Sequence, residues 1–115
     1  MIGLASRVLN AQVSDVTVDG EQPTATALLG NYPNPFNPST TIRYALSQDA
    51  YVTLKIYNVL GQLVATLVDE PQTAGYKSVV WNGRNDSGAG VASGMYIYRL
   101  VAGNFVQTKR TLLLK

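Results

Sequence analysis

From residue 40 onward the chain alternates apolar and polar positions with a period of two, in short runs broken by glycine, proline and asparagine. Ile42, Tyr44 and Leu46 share one face of the first run. Val52, Leu54 and Ile56 share a face of the second, with Thr53, Lys55 and Tyr57 opposite. Residues 62–68 are more continuously apolar. In the fourth run Val79 and Trp81 lie on one side, and in the fifth, residues 95–101, Tyr96, Tyr98 and Leu100 lie together. Such alternation in β-branched and aromatic residues predicts strands. Residues 105–114 supply a sixth, and Ala27-Leu28-Leu29 with Tyr32 a seventh. No segment has helical periodicity.

The connections fit this reading. Asn58-Val59-Leu60-Gly61 predicts a type I turn closing on a glycine bulge, and Gly103-Asn104 a two-residue hairpin turn. Ala74-Gly75 separates the third and fourth runs, and residues 82–94 form one long glycine-rich loop. About seven strands at such spacing, with turn signals between them, predict an all-β sandwich. Ahead of them lies Asn31-Tyr32-Pro33-Asn34-Pro35-Phe36-Asn37-Pro38, with three of the five prolines. Each residue before a proline is pushed towards extended conformations, so this run is either a stiff crossover or a plug in which Tyr32 and Phe36 enter the core edge.

Residues 1–26 read as a linker or N-terminal arm. They hold one strand-competent segment, with Val13, Val16 and Val18, followed by Asp19-Gly20. That arm can tether a preceding domain or add a strand to a sheet edge, its own or a neighbour's, which would make a homo-oligomer. The domain proper is expected to span residues 27–115.

Composition narrows the function. Of 115 residues none is cysteine or histidine, which removes disulfides, thiolate metal sites, the commonest general base and the commonest metal ligand. Net charge is +2. Apart from Lys109-Arg110 and Lys115 the basic residues look scattered, without the stripe of a nucleic-acid binder. No run approaches the length of a membrane span. The first seven residues lack the pattern of a signal peptide, so the expectation is either a protein that stays inside the cell or a fragment whose signal lay upstream.

The candidate chemistry is thin. Residues 82–94 offer Asn82, Asn85, Asp86 and Ser87, but one carboxylate is too few for a calcium cage. A turn in which Asn85 and Asp86 cap their own backbone is the better reading. Gly88-Ala89-Gly90 lacks the lysine and helix of a phosphate loop. Asp69-Glu70 read as a solvated turn at a strand end, not a paired catalytic site. Trp81 and the tyrosines read as core, not a sugar platform, and Lys55 lies opposite its strand's apolar face, which argues against a lysine–asparagine cross-link. No enzyme activity, metal or cofactor is expected.

The string from Asn31 to Tyr44, NYPNPFNPSTTIRY, resembles the opening of the C-terminal sorting domain of the type IX (Por) secretion system, a domain related to the immunoglobulin-like domain of the flagellar hook-capping protein. The likeness continues through Val52-Thr53-Leu54-Lys55-Ile56-Tyr57-Asn58, Gly61-Gln62, Thr66-Leu67-Val68, Ala74-Gly75, Trp81-Asn82-Gly83 and Gly94-Met95-Tyr96-Ile97-Tyr98-Arg99-Leu100, to Leu112-Leu113-Leu114-Lys115. Arg110-Thr111 stands where that family often has Lys-Met. The resemblance implies an immunoglobulin-like β-sandwich of about seven antiparallel strands at the end of a larger secreted or surface protein. Its expected partners are an upstream cargo domain and the outer-membrane secretion machinery, which passes the cargo through the periplasm to the cell surface. In the family the domain is then often removed by a sortase-like peptidase or exchanged for a lipopolysaccharide anchor. The resemblance makes Lys109, Arg110, Leu112, Leu113, Leu114 and Lys115 the candidate translocon contacts. A structural subunit that assembles by strand addition is the competing expectation.

Overall fold

The computed structural model describes residues 22–115. Seven strands follow one another: β1 (Ala27–Tyr32), β2 (Thr40–Leu46), β3 (Ala50–Asn58), β4 (Leu63–Gln72), β5 (Gly75–Trp81), β6 (Gly94–Ala102) and β7 (Phe105–Leu113). They form two antiparallel sheets, one ordered β1-β2-β5 and the other β4-β3-β6-β7. The fourth strand joins the sheet of the third, a three-plus-four division unlike the four-plus-three of constant-type immunoglobulin domains.

The alternating positions meet between the sheets. Ile42, Tyr44 and Leu46 of β2 face Val52, Leu54 and Ile56 of β3 and Tyr96, Tyr98 and Leu100 of β6, all buried. Trp81 sits between Phe36 and Tyr96, with ring centroids 5.4 and 5.2 Å away in tilted and edge-on arrangements that aromatic rings favour. Its indole N–H donates to the Arg84 carbonyl at 2.9 Å, so the polar atom of a buried ring is satisfied.

Turn chemistry follows the sequence closely. The Gly61 N–H donates to the Asn58 carbonyl, and Gly61 has φ +83°, the left-handed conformation a glycine bulge requires. The Asn58 side-chain oxygen accepts from the N–H groups of Leu60 and Gln62. In the long loop Asn85 caps its own turn, its side-chain oxygen accepting from the N–H groups of Ser87 and Ala89. Asp86 acts differently from the expectation. Its carboxylate accepts from Thr66 N–H while its own N–H donates to the Val64 carbonyl, pinning the loop against the outer edge of β4.

Two expectations need correction. Asp69 and Glu70 are not in a turn: β4 continues through them to Gln72, with Pro71 inside the strand. A proline is tolerated there because β4 is an edge, where no neighbour needs its missing N–H. The two candidate plugs also separate. Phe36 is buried, whereas Tyr32 ends β1 on the outer face, 81% exposed. The chain turns at Pro33, and only the second aromatic enters the core.

Candidate functional site

The region that the sequence marks, the terminal strand, is clasped by the proline-rich run. Beside Pro35, Phe36 forms an isolated parallel bridge with Leu113. The Phe36 N–H donates to the Leu112 carbonyl at 2.9 Å, and Leu114 N–H donates to the Phe36 carbonyl at 3.0 Å. Leu112 N–H donates to the Asn34 side-chain oxygen at 3.1 Å. The prolines keep residues 33–38 out of a regular sheet, which leaves Asn34 and Phe36 free to pair with the last turn of β7.

A buried polar cluster locks this clasp. The Asn31 amide donates to Thr111 Oγ1 at 2.6 Å and to Thr40 Oγ1 at 3.0 Å, and its oxygen accepts from the Tyr98 hydroxyl at 2.9 Å. Thr40 in turn donates to the Pro33 carbonyl at 2.8 Å. Thr40 and Thr111 are the two buried polar residues of the core region, and both are satisfied here. Burial pushes the Tyr98 hydroxyl up to about 12 from its ordinary 10.0, so it remains a donor throughout the physiological range. The four residues come from β1, β2, β6 and β7, so the cluster ties both sheets to the chain's end.

The six candidate contact residues therefore divide by environment. Leu113 is buried in the core, and Leu112 is half-buried on the outer face opposite Met95. Lys109 is half-buried on the inward-facing side of β7, opposite Tyr98, and Arg110 is exposed on the outer side. Leu114 and Lys115 are exposed beyond the strand, where Lys115 N–H donates to Ser93 Oγ. Lys109 and Arg110 line an open groove of about 680 Å³ along β7, together with Asn31, Asn34, Tyr98 and Thr108. Val13, Val16 and Val18 of the proposed arm lie outside the described residues. Asn31 and Asn34 escaped the sequence reading because asparagine in a proline-rich run reads as turn chemistry. Their partners on β6 and β7 are 67 to 80 positions away.

Among the described residues no three acids gather as a metal site, and no helix is long and apolar enough to cross a membrane.

The sandwich is similar to part of dimeric latent PorU from Porphyromonas gingivalis, with a TM-score of 0.61 and 23% identity over 84% of this chain and 10% of that one. It is also similar to part of PorZ, a surface component of the type IX secretion system of the same organism, with a TM-score of 0.51 and 24% identity over 74% of this chain and 11% of that one. The chain thus corresponds to about a tenth of each neighbour. No curated protein matches it. Residues 37–105, more than half of the sequence, match the FlgD Ig-like domain, and with seven strands in two facing sheets the chain belongs to the FlgD Ig-like domain family.

Proposed function

We propose that this chain is a non-enzymatic sorting module of the type IX secretion pathway, carried by a larger secreted or surface protein and read by the outer-membrane machinery. The observation that carries the reading is the clasped terminal strand. The proline-rich signature and the tail, which lie at opposite ends of the domain sequence, are hydrogen-bonded into one surface. A recognition element built on paired strands presents its exposed groups in fixed geometry, which reduces the ordering cost of binding. Leu114 and Lys115 are exposed at the end of that surface, with the Lys115 amine beside Gly90, and Arg110 flanks it. The similarity to portions of PorU and PorZ supports the same pathway.

The test fuses residues 27–115 behind a periplasmic passenger in a type IX-competent cell. Surface display is expected, and Leu114→Ser with Lys115→Ser should hold the passenger in the periplasm while the domain stays folded. Truncating the tail is a poor test, because it removes the core residue Leu113. Equal display of both fusions would remove the sorting role from the tail.

A further inference from the structure

Basic residues that look scattered along the sequence are gathered by the fold on the outer face of the four-stranded sheet. Lys55 on β3 stands directly opposite Arg99 on β6. Arg99 is opposite Thr108 of β7, and Arg110 is two residues further along that strand, opposite Ile97. Lys55, Arg99 and Arg110 therefore share one face on three adjacent strands. Residues directly opposite in an antiparallel pair have Cβ atoms about 4.5–5.5 Å apart, and like charges so placed oppose folding.

Among the described residues no acid stands directly opposite any of the three cations. The four acids of the described residues each accept a hydrogen bond from another group: Asp49 from Ala74 N–H, Asp69 from the Tyr51 hydroxyl, Glu70 from the Gln72 amide and Asp86 from the N–H of Thr66, the residue paired with Lys55 on β4. Asp86 lies beyond Thr66 on the far edge of β4, and Asp69 one row along, across from Thr53. The Arg99 guanidinium instead lies over the Tyr57 ring, 5.3 Å from its centroid, where the aromatic face attracts the cation. Ile97 beside it is half-buried, so the cations rise from a rigid, partly apolar floor.

We infer that Lys55, Arg99 and Arg110 form a binding site for a phosphate-monoester group. A single tetrahedral dianion between Lys55 and Arg99 turns the repulsive pair into a bridged one, and a guanidinium offers the paired donors that phosphate oxygens accept. Three cations are too few for a nucleic-acid track, which takes more phosphate contacts along a duplex. The site shares Arg110 with the flank of the sorting surface but excludes the exposed tail residues Leu114 and Lys115, and phosphate binding by Lys55 and Arg99 does not require that the domain sort a cargo.

The experiment compares the full chain with Lys55→Glu. Placing Glu opposite Arg99 relieves the like-charge pair, so this variant should melt a few degrees higher than the parent without phosphate. Inorganic phosphate should then raise the parent's midpoint saturably and shift its Arg99 and Arg110 side-chain NMR signals, with neither response in Lys55→Glu at matched ionic strength. Vesicles containing phosphatidic acid identify the source: co-sedimentation with them but not with phosphatidylcholine vesicles assigns the phosphate to a lipid headgroup, and a response to free phosphate alone assigns it to a soluble ester. An equal response of parent and Lys55→Glu, or none in the parent, overturns the site.

Discussion

At the scale of single residues, Asn31 holds more of the molecule than its neighbours suggest. It satisfies Thr111, Thr40 and Tyr98 at once. Thr40 and Thr111 keep second partners at the Pro33 carbonyl and the Asn34 side chain. Tyr98 relies on Asn31, so Asn31→Ala leaves its buried hydroxyl unpaired. The expected cost is about 1–3 kcal/mol, read as a shift in the urea midpoint at unchanged slope. Tyr98 also sets an alkaline limit. Its folded-state value of about 12 lies above the 10.0 of the unfolded chain because burial disfavours the phenolate. The contribution is complete below pH 10 and is lost as pH rises through about 12, since the unfolded state then binds fewer protons. Tyr44 and Tyr96 are shifted the same way by burial and reinforce the trend. Denaturation midpoints should therefore begin to fall above pH 10, and Tyr98→Phe should make that fall shallower.

At the scale of elements, β5 and its following loop depend on one side chain. Trp81 ends β5, contacts Phe36 of the clasp and Tyr96 of β6, and bonds the loop through Arg84. Trp81→Ala is expected to cost about 3–5 kcal/mol, measured by equilibrium unfolding. A much smaller loss would mean that the ring is not the joint between the sheets. Gly83, two residues on, has φ +73°, and a Cβ there would meet the Pro38 carbonyl at 3.2 Å, so the glycine of the Trp81-Asn82-Gly83 string is fixed by backbone conformation and close approach together. The edges are guarded by different devices. β4 carries Asp69, Glu70 and Pro71, β7 is occupied at its end by Phe36, and β1 has a register shift between Leu28 and Gly30.

At the scale of the whole molecule, the described residues form one sandwich whose two buried faces lie within residues 27–115. A chain of residues 27–115 should unfold in one cooperative step, with tryptophan fluorescence and far-ultraviolet circular dichroism giving coincident transitions. Separated transitions would show that the preceding residues are integral to the fold. The strands, their inward faces and most turns were legible from residue 27 onward, because side-chain direction along a strand has period two and glycine and asparagine mark where it breaks. Phe36 was legible only as one of two aromatics in a stiff run, since local conformation does not say which of them meets the other sheet. Strand order, the extension of β4 through Pro71, the reach of Asp86 to β4, the bonds from Asn31 and the meeting of Lys55, Arg99 and Arg110 required the tertiary structure. Each depends on which strands lie side by side and in what register, a choice made by packing across the whole core, whereas alternation and turn chemistry are properties of a few consecutive residues.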